Sequence, residues 1–255
     1  MGGEAMTMLQ LKGIGHAFLG RTVLDEINLE IAAGELVALV GPSGCGKSTL
    51  AHIAAGLIDP RQGRINRRYF RHGMIFQEPR LMPWATAAEN IAFGLVAERR
   101  LGCAACCQRV KDAAAQAALN PADLTKFPAQ LSGGMRQRVA IARALIAKPD
   151  FIFFDEPFSA LDVALKRRMQ DIVIETVAAR SLSGLFITHD LSEAVRVAHR
   201  IAVLDRSGRG IAGSRTVPSS PGLRDDRMVF ESAHAFLNED PLFAHVNDYD
   251  ERSIA

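Results

Sequence analysis

The chain has 255 residues, 23% of them charged and 48% hydrophobic, the balance of an ordinary globular protein with room for one large domain or two small ones. A formal net charge of +2 gives no electrostatic case for nucleic acid or an anionic membrane as a partner. No apolar run approaches the roughly 18–20 residues of a membrane-spanning helix, and no apolar core follows Met1-Gly2-Gly3-Glu4-Ala5-Met6, so neither a span nor a signal peptide is expected.

Segments 8–13 and 23–31 have strand character, with Val23, Ile27, Leu29 and Ile31 in alternation, and predict an antiparallel layer beside the core. The continuous apolar run at 36–40 reads as a strand buried on both faces of a parallel sheet. Gly41-Pro42-Ser43-Gly44-Cys45-Gly46-Lys47-Ser48-Thr49 follows it and fits the phosphate-binding pattern G-x-x-x-x-G-K-[ST], the Walker A loop. The run 49–55 after it reads as a helix. A loop between strand and helix aims consecutive backbone N–H groups at phosphate oxygens, and its glycines let the backbone curl and approach closely. The helix N-terminus adds favourable partial charge. Lys47 is placed to reach the β- and γ-phosphates, and the Ser48 hydroxyl to ligate Mg²⁺.

A second buried strand is expected at 73–76. From 86 to 147 the character changes, with helical patterns at 87–96, 104–119 and 134–147, no strong strand between them, and Pro121 and Pro128 marking loops. This predicts a helical insertion. Cys103, Cys106 and Cys107 lie on its Ala-rich stretch with no fourth soft ligand nearby, so they read as small apolar residues rather than a metal site. Nothing suggests a disulfide framework, and a reducing cytosol is expected. Buried strands are predicted again at 151–154, 184–187 and 201–204. Their alternation with helices argues an α/β fold with a largely parallel sheet. After Asp205 the chain turns polar and turn-rich, and a short amphipathic helix is expected with Val229, Phe230, Ala233, Phe236 and Leu237 on one side.

Three further groups bear on chemistry. The strand at 151–154 ends in Asp155 and Glu156. Asp155 is placed to hold Mg²⁺, directly or through water, and Glu156 to polarise an attacking water as general base. Taken alone, an apolar strand ending in two acids is common. Leu131-Ser132-Gly133-Gly134-Met135-Arg136-Gln137-Arg138 puts a hydroxyl and N–H groups at a helix start, either a second anion site or an ordinary helix cap. His189 follows a strand on the sheet edge where ligands bind; the other reading is a capping or packing residue.

In order, these motifs, with Phe-Gln-Glu-Pro at 76–79, Phe-Phe-Asp-Glu-Pro-Phe-Ser-Ala-Leu-Asp at 153–162 and Ile-Thr-His-Asp at 187–190, resemble the ATPase subunit of ATP-binding-cassette transporters over about residues 8–205. The resemblance implies an α/β P-loop NTPase (RecA-like) core with a largely parallel sheet, an N-terminal antiparallel β layer and an inserted helical subdomain. The corresponding domains are a core over 1–85 and 148–205, a helical subdomain over 86–147 carrying the signature, and a C-terminal extension over 206–255. It implies ATP and Mg²⁺ as ligands, with Ser48, Gln77 and Asp155 at the metal. Gln77 would touch the metal and the attacking water and link to the permease. Glu156 would be the catalytic base and His189 the switch that contacts the γ-phosphate. Asp162 would close the loop that crosses the dimer, and Phe18 falls where an aromatic stacks on adenine, a core position being its other reading. Ser132, Gly133 and Gly134 would act in trans on ATP held by the Walker A loop of a second, identical subunit. The implied partners are that subunit, an integral membrane permease and a solute-binding protein, without nucleic acid, at the cytoplasmic face of the membrane.

The finer resemblance is to importers of nitrate, taurine and alkanesulfonates, carried by 77–84, by 90–95 and by Met135. The stretch from Leu57 to Gln77 is shorter than usual for that group, so the strand pair there is expected to be trimmed. The apolar tip Leu81-Met82-Pro83-Trp84 is a candidate permease knob, the competing reading being that Leu81 and Trp84 pack the loop onto the helices. Two other functional classes fit the sequence less well. A relative acting on DNA needs a long coiled-coil or zinc-bearing insertion, and the interval from Walker A to the signature is short. A regulatory ATP-binding scaffold needs no base, and Glu156 and His189 are both present.

Overall fold

The computed structural model describes residues 6–95, 103–159 and 161–246. In chain order its elements are β1 (Thr7–Phe18), β2 (Arg21–Ala32), β3 (Leu36–Val40), α1 (Lys47–Ala55), β4 (Gln62–Arg67), β5 (His72–Ile75), α2 (Ala87–Ala92), α3 (Cys103–Gln116), α4 (Gly133–Ile146), β6 (Phe151–Asp155), α5 (Val163–Arg180), β7 (Ser183–Ile187), α6 (Leu191–Val197), β8 (Arg200–Leu204), β9 (Ile211–Thr216) and α7 (Asp226–Glu239). They fall into two compact units, one of Met1–Tyr69 with Val173–Ala255 and one of Phe70–Ile172.

The first unit holds two sheets. The antiparallel sheet runs β2-β1-β4, with Leu11 facing Leu29 on one side and Ile65 on the other. Its first hairpin turns on Leu19 and Gly20, both at positive φ (47° and 82°), the two-residue geometry that matches strand twist. The second set runs β7-β3-β8 in parallel, with Val37 opposite Leu185 and Leu39 opposite Ala202, and β9 antiparallel at its edge. Every residue of β3 and β7 is buried, the pattern of strands covered on both faces.

The second unit pairs β5 with β6 in parallel, Met74 opposite Phe153 and Ile75 opposite Phe154. Its helices bury a separate apolar cluster that includes Ile91, Leu95, Val110, Leu119, Val139 and Ile146. α2 opens on a reciprocal cap: Glu89 N donates to Thr86 Oγ1, and Thr86 N donates to the Glu89 carboxylate at 2.7 Å. Among the described residues no helix is long and apolar enough to cross a membrane.

Four elements differ from the sequence expectation or were not foreseen by it. β4 is exposed at nearly every position, so it has no apolar alternation; only backbone pairing to β1 makes it a strand. It is the single antiparallel strand between Leu57 and Gln77. The helix expected over 87–96 ends at Ala92 and tightens into a 3₁₀ turn over Phe93–Leu95, Val96 lying outside the described residues. β9 extends the first unit's sheet, so the residues after Asp205 are partly built into that unit. Arg224 anchors them: buried, it donates to Pro218 O and Ala198 O, both at 2.8 Å, and to Val195 O, and burial holds its pKa down to about 10. In α7 the expected one-sided apolar set divides. Val229 and Ala233 are buried, whereas Phe230 and Leu237, one helical step round, are 68% and 36% exposed.

Candidate functional site

In the first unit, β3 runs into the loop Gly41–Gly46 and then α1. Gly46 caps the helix at φ 104°, and a Cβ there would lie 2.8 Å from Leu24 Cδ2, so no other residue fits without displacement. Gly41 is equally constrained, a Cβ lying 2.9 Å from Leu204 O. No side chain caps the start of α1 and no acid lies in its first turn, which leaves the donor end of the helix to an anion. Lys47 is 6% exposed, and its ammonium donates to Gly41 O at 2.8 Å and Pro42 O at 2.7 Å. The loop thus folds round its own cation. Cys45 is also buried, with Sγ 3.9 Å from Lys47 Nζ; burial pushes its thiol up against the opposing pull of that ammonium, which makes it a neutral filler.

His189 is exposed on the link between β7 and α6. Its neighbours are tied down. Thr188 Oγ1 donates to the buried Glu193 carboxylate at 2.7 Å and accepts from Asp190 N at 3.0 Å, while Asp190 caps α6 through Ser192 N. Because β3 and β7 are parallel neighbours, with Leu39 opposite Ile187, the glycine loop and His189 lie off the same sheet edge. Its exposure argues against a buried packing role for His189. Phe18 is 47% exposed at the hairpin end, its ring edge-on to His16 at 4.6 Å, which argues against the core reading for it too.

In the second unit, Asp155 is the last residue of β6 and is 4% exposed. Glu156 follows at φ +45°, a left-handed conformation that costs a non-glycine residue about 1–3 kcal/mol and gathers at functional positions. Gln77 Nε2 donates to Glu156 Oε2 at 3.4 Å, so the two residues with proposed roles at the attacking water are in contact. The Gln77 loop is pinned on both sides. The Arg143 guanidinium, its pKa lowered by burial, donates to Pro79 O at 2.8 Å and Arg80 O at 2.9 Å, and Arg80 lies 4.2 Å over the Phe76 ring. Gln137 is 1% exposed and donates through Nε2 to Phe76 O at 3.2 Å and Pro157 O at 2.8 Å.

Ser132 is the exposed N-cap of α4; its Oγ accepts from Met135 N at 3.2 Å, which leaves the hydroxyl proton free to be donated. Both sequence readings of this serine are thus compatible in one geometry. Gly133 and Gly134 are the first helical residues. Asp162 is exposed, and its Oδ1 accepts from Leu165 N at 2.9 Å at the start of α5; Ala160, in the same loop, lies outside the described residues. Sequence reasoning missed Gln137 and Arg143. A polar residue within a helix, near its start like Gln137 or in its last turn like Arg143, carries no sign that it faces inward.

The ABC transporter family model matches residues 24–159. The chain is 36% identical over 249 residues, 95% of its length and 85% of the relative's, to the aliphatic sulfonates import ATP-binding protein of Burkholderia cenocepacia. It is 40% identical over 243 residues, 92% of this chain and 95% of the relative, to the protein of the same description from Xanthomonas axonopodis pv. citri. Among solved structures, the dimeric ATP-binding cassette MJ0796, in a post-hydrolysis state bound to ADP and Pi, matches with a TM-score of 0.77 at 28% identity, over 83% of this chain and 100% of that one. A glycine loop wrapped round its lysine, a buried aspartate followed by a strained glutamate and a capped Ser-Gly-Gly helix start agree with these likenesses, and the chain belongs to the ABC transporter family as one of its ATP-hydrolysing subunits.

Proposed function

We propose that this chain drives import of aliphatic sulfonates, two copies closing round two ATP molecules and acting on a separate membrane permease supplied by a solute-binding protein. The observation that carries this reading is the identity of 36–40%, over 92–95% of the chain, to proteins described as aliphatic sulfonates import ATP-binding proteins. The dimeric state of the similar cassette supports the pairing. Attachment to the permease would hold the chain at the cytoplasmic face of the membrane. A relative acting on DNA is disfavoured, since α2 and α3, of 6 and 14 residues, are no coiled-coil arm.

Residue roles follow from chemistry. The loop N–H groups and Lys47 hold the β- and γ-phosphates. Ser48, Gln77 and Asp155 offer oxygen donors, the set that Mg²⁺ takes, with the remaining positions left to phosphate and water. Mg²⁺, when bound, neutralises charge on the phosphates. Glu156 takes a proton from the attacking water, which Gln77 helps to orient. His189 contacts the γ-phosphate, and Phe18 offers an exposed ring face to adenine. Ser132, Gly133 and Gly134 meet the ATP of the second copy, and Asp162 faces that copy across the dimer.

The trans role predicts a split phenotype. Ser132→Arg places a cation where the partner's γ-phosphate must enter. ATP binding to the monomer should stay within about twofold, while turnover falls by roughly 10²-fold or more, the scale of losing transition-state donors. The lost cap lowers stability by about 1 kcal/mol. Nucleotide titration of the monomer beside steady-state turnover checks this; equal loss of binding and turnover would refute the trans role.

The docking loop is narrowed by the structure. Leu81 packs partly against the helical cluster, so it is not a free knob, and Leu81→Glu would also disturb that packing. Trp84 is 76% exposed on a loop held by Asn90, whose Oδ1 accepts from Met82 N at 2.8 Å and whose Nδ2 donates to Ala85 O at 3.0 Å. Trp84→Ala should therefore leave the melting temperature and basal ATPase unchanged. It should weaken permease binding by at least about thirtyfold, the loss of one anchoring tryptophan, and stop aliphatic-sulfonate uptake. Membrane co-sedimentation and uptake in cells carrying the variant test both docking and solute, and retention on membranes with full uptake would count against the loop.

A further inference from the structure

We propose that Gln137 is a positioning residue that sets the contact between Gln77 and Glu156 and ties it to the helix that starts at Ser132. The inference rests on the roles given above to Gln77 and Glu156. Its basis is a single buried amide with two protons and two acceptors. One N–H goes to Phe76 O, the carbonyl of the peptide that leads into Gln77. The other goes to Pro157 O, one residue beyond Glu156. The geometry of one planar NH₂ group therefore fixes how far apart the two backbones lie.

The contact it governs is sensitive. Gln77 Nε2 and Glu156 Oε2 are 3.4 Å apart, near the outer limit of a hydrogen bond, so a few tenths of an ångström decide whether it forms. Glu156 also sits at φ +45°, a conformation that persists only where the surroundings impose it. Gln137 is five residues beyond Ser132, about 7.5 Å along the axis of α4. A shift of α4 on closure against a second subunit would thus be felt at the base and at the water-orienting glutamine together.

The amide's other end separates positioning from filling. Gln137 Oε1 is buried and has no hydrogen-bond partner. An orphaned buried acceptor is unfavourable, and a leucine or methionine would fill the same volume without it. What the position uses is the pair of donors.

The test compares the full-length chain with Gln137→Leu and Gln137→Met, each alone and combined with Gln77→Ala, with Glu156→Gln as reference. Loss of the two donors should lower kcat on the order of 10- to 100-fold, the scale of a misplaced reacting geometry. KM and the ATP affinity of the monomer should stay within about threefold, because the glycine loop does not involve Gln137. In the Gln77→Ala background either Gln137 substitution should slow turnover by no more than about threefold further, since the contact it sets is already gone. Wild-type kcat in both Gln137 variants would overturn the proposal, as would losses that multiply in the double variants. Absence of a cooperative melt in both variants would also overturn it, showing that the bonds hold the unit together and not the site. If Glu156→Gln itself turned over normally, the site reading would fail and this inference with it. An inactive Glu156→Gln beside active Gln137 variants would remove this inference alone.

Discussion

Glu156→Gln is expected to bind ATP as the unchanged protein does, to lower turnover by roughly 10²–10⁴-fold, and to accumulate as an ATP-bound dimer. The magnitude is that of losing a positioned general base. The amide keeps the shape of the carboxylate, so the packing round the half-buried side chain and the approach of Gln77 Nε2 to the Oε2 position are disturbed little. What disappears is the ability to accept the water's proton. Removing the negative charge also removes its repulsion of the nucleotide's phosphates, so closure is favoured while the reaction that would reopen the dimer is blocked. Size-exclusion chromatography with ATP and Mg²⁺ should show a dimer that reverts to monomer when nucleotide is withdrawn. A monomer at saturating ATP and Mg²⁺ would contradict the sandwich, and turnover within tenfold of the unchanged protein would remove Glu156 as the base. The left-handed backbone at Glu156 adds an internal control, since Gln carries the same strain as Glu and the melting temperature should not move.

The candidate functional residues legible in the sequence are those whose chemistry is local. Gly41–Thr49 could be read because strand, loop and helix are contiguous and each glycine answers to a backbone demand, at Gly46 a φ of 104° and no space for a Cβ. Phe151–Asp155 could be read because every position of that strand is buried and the run ends in acids. What could not be read depends on partners far away in the chain. β4 is a strand only because β1 offers it a backbone edge. Asn90 looks like an ordinary surface residue of a short helix, yet it is fully buried and holds the loop from Met82 to Thr86 with both ends of its amide. Gln137 and Arg143 are of the same kind: their targets are backbone carbonyls, three of them about sixty residues back and one, Pro157 O, 20 ahead, and carbonyls leave no mark in a sequence. In α7 the apolar spacing was visible but its split into buried and exposed rows was not, since residues one step apart on a helix face 100° apart.

Lys47→Ala should lose both binding and turnover, a pattern distinct from that of Glu156→Gln. The buried ammonium donates to Gly41 O and Pro42 O from inside the loop, so much of its desolvation is already met by the fold, and the proposed role has it meet the phosphates from there. The contact to phosphate that this role gives it is charge-assisted. One such contact contributes about 1.5–3 kcal/mol, roughly 10- to 100-fold in ATP affinity. Turnover should fall further, on the order of 10³-fold in kcat/KM, because charge on the transferring phosphoryl group develops against this same cation. Alanine also removes the Lys47 donor from Gly41 O and leaves Pro42 O only the long bond from Cys45 N at 3.4 Å, so the loop should loosen and the melting temperature should fall even without nucleotide. Calorimetric titration with ATP, steady-state turnover and a thermal melt separate these effects. Wild-type affinity with slowed turnover would limit Lys47 to transition-state stabilisation. Wild-type turnover would show that the phosphates lie elsewhere, and the assignment of Gly41–Thr49 would then fall. ATP should restore little of the lost melting temperature, since stabilisation by a ligand scales with the logarithm of its concentration over Kd and Kd is what the substitution raises.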